Sequence, residues 1–587
     1  MKSTQSCKAL PLIHGSASGP LLSSALELSF WGGVDPSTGE VIDRHHPLSG
    51  KFVRDAILAI PAGRGSCSGS GVLLELLLNG KGPRALAFSR QEDILTLGVV
   101  VARELFGREI PVVVLEEGDF CEVSEAHYAR IDGGSVLWGQ SECLADGKIG
   151  SHSISPVVSD WTQSFRLSDL DKAYLDGGHG QAGAAAMRII LEMSRLQGAH
   201  ELIDVTQVHI DGCVYTGPGS LAFAEKLRDM GGKVVVPTTL NSVSVDQRRW
   251  RAQGVECAFG TAAEKLATAY VDMGARPTFT CAPYLLDSAP KRGEQIAWAE
   301  SNAVVYANSV LGAKTMKYPD FLDIAIALTG RAPYGGLHLA ENRSATICFD
   351  LNKYMPSLNR RGDLFYPVLG YTVGRLSGSQ IPAIVGFDSA SPSKDDLKAF
   401  GAAFATVSSA PMFHMVGVTP EAPSLDAALC NKTSQVQTIH LLPEQLHDSL
   451  ASLNSPEPIQ KVDLVSLGNP HFSLPEIRKL ACLCKGRSKA PTVAVVVTCG
   501  RSTFGLARQA GLVADLEAFG VQFVEDTCWC MIGEPVIPRH AEVIMTNSAK
   551  YAHYGPGLTG RRFRFGGLAE CVDAACGGMH DRTGVVL

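Results

Sequence analysis

Four apolar runs toward the C-terminal end constrain this chain more than any other feature: Val462–Ser466, Thr492–Thr498, Val521–Val524 and Val543–Met545. Each has the length of a buried strand. Each runs into polar or cysteine-bearing punctuation: Gly468-Asn469-Pro470-His471, Thr498-Cys499-Gly500-Arg501, Glu525-Asp526-Thr527-Cys528 and Thr546-Asn547-Ser548-Ala549-Lys550. Helical segments lie between them. Ser473-Leu-Pro-Glu476 is a capping box that opens a helix over Ile477–Cys484, and Ser393-Lys-Asp-Asp396 opens another over Leu397–Val407. Strand–helix alternation of this kind specifies an α/β layer architecture. In open α/β sheets ligands collect at the carboxyl ends of the strands. The chemistry is therefore expected in the punctuation loops.

The same rhythm extends upstream. Gln181–Arg195 and Ser220–Met230 read as helices, Leu202–Ile210 and Lys233–Pro237 as strands, and Leu568–Ala575 as a C-terminal helix. The first part of the chain is richer in β pattern. Ala85–Phe88, Val112–Leu115 and Ser135–Leu137 are short apolar runs between Gly, Asp and Pro, with one helix around Ile94–Leu105. Residues Ala145–Asp169 lose apolar periodicity and are rich in Ser, Gly and Asp. The reading is a small β-rich domain over 1–150, a linker over 151–170 and a large multi-layer α/β catalytic domain over 171–587. A length of 587 residues supports more than one domain.

Charge and hydropathy narrow the function classes. Net charge is −7 and no basic block occurs, which excludes a nucleic-acid partner. No apolar run is long enough to span a bilayer. The N-terminal residues lack the pattern of an export signal, so the chain is expected in the cytoplasm. There its 16 cysteines, which follow no disulfide-framework spacing, stay reduced.

Pro61-Ala-Gly-Arg-Gly-Ser66-Cys-Ser68-Gly-Ser70-Gly71 follows an apolar run and precedes another. Glycines on both sides let the backbone approach a ligand closely. The loop suits anion binding or an activated serine; a plain Gly/Ser turn is the ordinary alternative. Cys281, Cys499 and Cys528 all lie in loops after apolar runs, where converging thiolates would hold a soft metal or an iron–sulfur cluster. An isolated cysteine is more often a small buried apolar residue. Cys528-Trp529-Cys530, if extended, puts its two cysteines on opposite faces, so that only one faces a site. Cys571 and Cys576, in the C-terminal helix, read as core. His179 sits in a Gly-rich turn at a helix start and is the histidine singled out for function; His209, His338 and His414 read as structural. Lys550 and Arg343 lie in loops where either holds a carboxylate or simply a solvated charge.

These residues resemble those of aconitase X, a branch of the aconitase superfamily. Leu28-Ser-Phe-Trp-Gly-Gly-Val-Asp-Pro36, His46-Pro47 and Gly63-Arg-Gly-Ser-Cys-Ser-Gly-Ser70 are similar to the family's small swivel part. Tyr174-Leu-Asp-Gly-Gly-His-Gly180, Tyr215-Thr-Gly-Pro-Gly219, Thr280-Cys-Ala-Pro-Tyr284, Glu300-Ser-Asn-Ala-Val-Val-Tyr-Ala-Asn-Ser309, His414-Met-Val-Gly-Val-Thr-Pro-Glu-Ala422 and Asn547-Ser-Ala-Lys-Tyr-Ala-His-Tyr554 are similar to its large catalytic part. The resemblance implies a swivel domain carrying Ser66 and a catalytic domain carrying an iron–sulfur cluster, here fused in one chain, so that a monomer is possible although the oligomeric state stays open. The fused form resembles the branch that dehydrates cis-3-hydroxy-L-proline; the two-chain form resembles mevalonate 5-phosphate dehydratases. Two-chain relatives carry Gly-Cys-Pro-His where this chain has Gly468-Asn469-Pro470-His471. Asparagine supplies no thiolate. The implied ligand set is then Cys281, Cys528 and Cys499 from a neighbouring strand end, with Cys571 in reserve, and a [2Fe–2S] cluster.

What the resemblance implies is a hydro-lyase that forms Δ1-pyrroline-2-carboxylate from a small hydroxylated imino acid. Ser66 is the base, with Ser68 next to it in the order of candidates, and the cluster iron is the Lewis acid on the leaving hydroxyl. Base and cluster on different domains would make the swivel interface the active site. Arg64, His179 and Lys550 are expected to assist. Ser68, Asp211, Thr216, Gly217 and Asn308 are expected to bind substrate. The alternatives are a dehydratase of a phosphorylated hydroxy acid and a non-catalytic metal or small-molecule binding protein.

Overall fold

The computed structural model describes residues 5–43, 46–141, 164–351, 362–387, 392–430, 436–457 and 461–577. Most of the linker expected over 151–170 lies outside them. The chain forms two compact units. The first comprises Met1–Thr238, Asp272–Gly274 and Tyr318–Gly336; the second comprises Thr239–Val271, Ala275–Lys317 and Leu337–Leu587. The α/β class expected from the sequence is what forms, with a swivel sheet followed by layered parallel sheets.

In the first unit an eight-stranded sheet dominates. Its centre is parallel: Ser16–Ser23, Ile57–Ala59, Ala85–Phe88 and Val112–Val114 lie side by side. Antiparallel strands flank it, Tyr128–Asp132, Ser135–Gly139 and Gln5–Lys8 on one side and Leu10–Ile13 on the other. The two innermost, Ile57–Ala59 and Ala85–Phe88, are short and buried throughout, as parallel strands covered on both faces must be. Helix Gly69–Leu78 follows strand Ile57–Ala59 and packs against helix Ile94–Phe106. Gly98 makes that approach possible, because a Cβ there would stand 2.8 Å from the Ser70 carbonyl oxygen.

The second unit holds two parallel sheets. The four-stranded one runs His414–Met415, Pro382–Val385, Ile347–Asp350, Gln437–His440. The five-stranded one runs Val521–Glu525, Ala494–Cys499, Leu464–Leu467, Val543–Thr546, Arg562–Phe565. From Leu464–Leu467 the chain builds outward in one direction, then returns to build in the other. The strand order therefore reverses between Leu464–Leu467 and Val543–Thr546. A topological switch point of this kind opens a crevice at the strands' carboxyl ends.

Both capping boxes form. Ser473 and Glu476 close the start of Leu474–Cys484, and Ser393 and Asp396 that of Lys394–Val407. Two strand expectations change. Leu202–Ile210 breaks into Leu202–Asp204, which pairs with Arg331–Pro333, and Val208–Ile210. Lys233–Pro237 forms no strand, and the next one begins at Thr238. The Val234 and Val235 amides bond singly to the Met273 and Ala327 carbonyls, on two different segments, so no ladder develops.

Helices Phe365–Ser377 and Lys394–Val407 cross closely in the second unit. Gly370 and Gly374 form the contact face. A Cβ on Gly370 would lie 2.3 Å from the Phe400 carbonyl oxygen, which is backbone and cannot rotate away. Gly370→Ala is expected to force the helices apart and cost about 1–3 kcal/mol, the range of overpacked cores. A thermal melt checks this; an unchanged midpoint would show that the crossing tolerates separation.

Candidate active site

Three thiols meet at the carboxyl end of the five-stranded sheet. Cys281 follows Thr280, whose amide bonds to the Leu240 carbonyl. Cys528 and Cys530 lie in the loop after strand Val521–Glu525. Cys528 shares hydrogen bonds with the thiols of both Cys281 and Cys530. All three cysteines are buried. Hydrogen bonds from the two flanking thiols, outweighing burial, hold Cys528 well below the usual cysteine range, whereas burial first and then Cys528 itself hold Cys281 well above it. Two N–H groups also point at sulfur: the His471 amide lies 3.3 Å from Cys281 Sγ, and Asn469 Nδ2 lies 3.2 Å from Cys530 Sγ.

The loop geometry explains why both cysteines of Cys528-Trp529-Cys530 face inward. The segment is not extended. Thr527 N donates to the Glu525 carbonyl at 2.8 Å, Asp526 has φ of 67°, and Met531 N donates to the Cys528 carbonyl at 2.9 Å. The chain turns, and strand alternation no longer separates residues two apart. His471 ties the loop down. Its Nε2 lies 2.8 Å from the Thr527 carbonyl, which can only accept, so Nε2 carries the proton and Nδ1 accepts from the Thr280 hydroxyl at 3.1 Å.

Cys499 is not part of this pocket. It ends strand Ala494–Cys499 in register with Val495 and Val497, and these three pack under helices Leu474–Cys484, Leu512–Phe519 and Leu568–Ala575. Val496, one residue out of phase, packs with Cys281, Cys528 and Cys530 on the other face. Period-2 alternation therefore puts Cys499 on the wrong side of the sheet. Cys571 lies in the same helix-covered layer as Cys499. The third thiol beside Cys281 and Cys528 is Cys530.

Lys550 reaches this pocket from the first turn of helix Ala549–Thr559. Its Nζ donates to Glu300 Oε1 at 2.9 Å. Burial disfavours the ammonium, but Glu300 and the two cysteines beyond it hold Lys550 well above the usual lysine range. Burial likewise disfavours the Glu300 carboxylate, but Lys550 draws the group below its ordinary value. Asn302 and Asn241 complete its partners, with Nδ2 atoms at 2.6 Å and 3.0 Å.

In the first unit Ser66 stands, half-buried, just ahead of helix Gly69–Leu78. Ser68 N donates to Ser66 Oγ at 3.3 Å, and Ser66 Oγ donates to Ser68 Oγ at 3.2 Å. Gly65 has φ of 81°, which an L side chain rarely adopts, and a Cβ on Gly63 would stand 2.6 Å from Glu92 Oε1. The loop is held from a distance. Asp320 N donates to the Cys67 carbonyl at 3.2 Å, and Ser70 Oγ donates to the Asp320 carbonyl at 3.1 Å. The Ser66 hydroxyl is thus fixed beside an N–H group and the positive end of a helix, which favours an oxyanion.

Family models for the aconitase X swivel, first, second and third domains match residues 6–137, 164–341, 345–451 and 462–577 in turn. A cis-3-hydroxy-L-proline dehydratase of Hypocrea jecorina is 66% identical over 98% of this chain and 96% of that protein. The chain belongs to the aconitase X family. A cis-3-hydroxy-L-proline dehydratase of Pseudomonas aeruginosa is 52% identical over 97% of this chain and 96% of its own length. The crystal structure of Thermococcus kodakaraensis aconitase X in its holo-form superposes with a TM-score of 0.62 at 29% identity, covering 70% of this chain and all of that one.

Within this aconitase X chain the remaining expected residues fall into two groups. Asp211 and Thr216 sit with the Ser66 loop. The Asp211 amide donates to Asp323 Oδ2 at 2.7 Å, and the same carboxylate accepts from Phe321 N at 3.0 Å, next to Asp320. Thr216 Oγ1 packs 3.5 Å from where a Cβ on Gly71 would be. Gly217 abuts Glu75, whose Oε2 accepts from Gly219 N at 2.5 Å, so a carboxylate of the chain itself occupies the start of helix Pro218–Asp229. Arg64 pairs with Asp43 at 3.0 Å. His179 is exposed and stacks on Tyr174, ring centroids 4.2 Å apart.

Asn308 is a correction. Its Nδ2 donates to the Thr315 and Pro411 carbonyls, both at 3.0 Å, and its Oδ1 accepts from Thr315 N at 3.0 Å and Arg343 Nη1 at 3.1 Å. A carboxamide has no further bond to offer. Asn308 holds a buried turn together with Arg343, which itself pairs with Glu421 at 2.6 Å. Arg343 is therefore a structural ion pair rather than a substrate anchor.

The sequence reading passed over Glu300 and Cys530. Glu300 stood inside a quoted motif, and Cys530 was set aside by assuming an extended loop.

Proposed function

We propose that this protein is a carbon–oxygen lyase that removes water from cis-3-hydroxy-L-proline and yields Δ1-pyrroline-2-carboxylate. The observation that carries the reading is identity of 66% and 52%, over nearly the whole length of both partners, to two dehydratases of that substrate. The chemistry of the two loops supports it.

We assign Cys281, Cys528 and Cys530 to an iron–sulfur cluster of the [2Fe–2S] type. Among the described residues no set of three or more His, Cys, Asp or Glu side chains already surrounds a cation position; the thiols hydrogen-bond to one another instead. Three observations still fit the group. The donors are soft and buried, N–H groups are aimed at two of the sulfurs, and the Tyr551 hydroxyl is buried beside Cys528 and Cys530 with no hydrogen-bond partner. The chemistry a cluster supplies there is a Lewis-acidic iron for the departing hydroxyl.

Ser66 takes the proton from C2, its alkoxide favoured by Ser68 N–H and the helix start. The C2–H electron pair becomes the C2–C3 double bond as the C3–O bond breaks, and the departing hydroxide takes the proton that Ser66 has gained and leaves as water, which restores the alkoxide. The enamine then moves its N–H proton to C3 and becomes the cyclic imine. Lys550 holds the substrate carboxylate. Among the described residues no helix is long and apolar enough to cross a membrane, and we place the protein in the cytoplasm, where its thiols stay reduced.

The test is direct. Anaerobically purified protein with cis-3-hydroxy-L-proline is expected to give a product lighter by one water. Turnover of mevalonate 5-phosphate at an equal or higher rate would overturn the substrate while leaving the reaction class.

A further inference from the structure

A partly open cavity lies at the switch point of the five-stranded sheet. Its polar lining is Asn469 from the loop after Leu464–Leu467, Asn547 and Ser548 from the loop after Val543–Thr546, and Lys398, Glu476 and Lys550 from three helices. Asn469 and Lys550 also reach the cysteine pocket, so the cavity adjoins it.

The lining offers both signs of charge. Among the described residues Lys550 Nζ donates to Glu300 alone, which leaves two of its three N–H groups for a ligand. Glu476 Oε2 accepts from Ser473 N at 2.8 Å and from Lys398. Among the described residues its other oxygen, Oε1, has no hydrogen-bond partner. Asn469, only 6% exposed, uses its Nδ2 on Cys530, and among the described residues its Oδ1 accepts no hydrogen bond. Lys398 is almost wholly buried, donates also to the His471 carbonyl at 3.2 Å, and pins the Glu476 carboxylate in place.

We propose that this cavity reads the substrate as a zwitterion: Glu476 Oε1 accepts from the ring ammonium while Lys550 donates to the carboxylate. Lys398 is then a positioning residue that acts through Glu476. The inference rests on the dehydratase reading and adds a cause for its selectivity. A carboxylate beside the bound ring attracts a cationic nitrogen and repels a second anion, so a phosphorylated hydroxy acid is disfavoured at the same place.

Binding of L-proline, which carries both charges and no leaving hydroxyl, is measured by calorimetry on the full chain. Cyclopentanecarboxylate, which has the carboxylate but no nitrogen, is the control. Glu476→Gln keeps the size and the cap to Ser473. It is expected to weaken L-proline at least tenfold, about 1.4 kcal/mol, to raise KM for cis-3-hydroxy-L-proline in parallel, and to leave cyclopentanecarboxylate unchanged. Should the single variant leave Lys398 unpaired and misfold, Lys398→Gln combined with Glu476→Gln removes both charges and is expected to show the same selective loss. Undiminished L-proline binding in either folded variant overturns the inference. If the wild type dehydrates the substrate while Glu476→Gln keeps its KM, only this inference fails. If the wild type neither turns over nor binds L-proline, both fail.

Discussion

Ser66→Ala is expected to lower turnover by roughly 10³-fold, about 4 kcal/mol in barrier, within the span of a lost general base. The fold should hold. Ser66 is half-buried in a loop, and among the described residues its hydroxyl bonds only to Ser68. Losing such a bond costs about 0.5–1.5 kcal/mol. The loop itself is anchored elsewhere, through Cys67 and Ser70 to Asp320, and those ties survive the substitution. Circular dichroism and the visible spectrum of the variant should therefore match the wild type while product formation collapses. Ser68→Ala is the companion. It removes a hydroxyl but keeps the backbone N–H that faces Ser66, so it should be the milder change. Activity of Ser66→Ala within tenfold of wild type would remove Ser66 from the chemistry and pass the role to Ser68.

Cys530→Ser should bleach the cluster absorption and take iron and sulfide content with it; Cys499→Ser should do neither. A hydroxyl is a hard ligand that does not replace a thiolate on iron. Cys281→Ser and Cys528→Ser are expected to behave like Cys530→Ser. Cys499 lies across the sheet among Val495, Val497 and the covering helices. Its replacement puts an extra polar group in an apolar layer, for about 1–3 kcal/mol of stability, and leaves the opposite face untouched. The two variants thus separate along different axes, one spectroscopic and one thermal. A full spectrum in Cys530→Ser, or a bleached one in Cys499→Ser, would reverse the assignment.

Much of the architecture was legible before any coordinates. The strands from Val462 onward, both capping boxes and the helix Leu568–Ala575 follow from periodicity and local hydrogen bonding alone. The Ser66 loop was legible for the same reason: its glycines answer to φ and to close contacts along a few residues. The site was legible only in outline. Cys281, Cys528 and Lys550, each read as lying beyond an apolar run, do come together at the strands' carboxyl ends.

The partners were not legible, because each is decided by something distant in the chain. Cys499 and Val496 belong to one apolar run, and nothing within it says which face is roofed by helices and which by the loop of Cys528. Cys530 turns inward because His471, far upstream, fixes the Thr527 carbonyl. Asn308 lost its place as a substrate ligand to Arg343 and Pro411, both remote in sequence. Glu476 was visible as a helix cap, yet it lines a cavity that exists only once strands Leu464–Leu467 and Val543–Thr546 lie side by side. The sequence by itself determined the elements, their caps and the loops that carry chemistry, since those depend on interactions a few residues long. Tertiary structure alone decided which side chains meet, because side-chain periodicity reports that a face is buried and never what buries it.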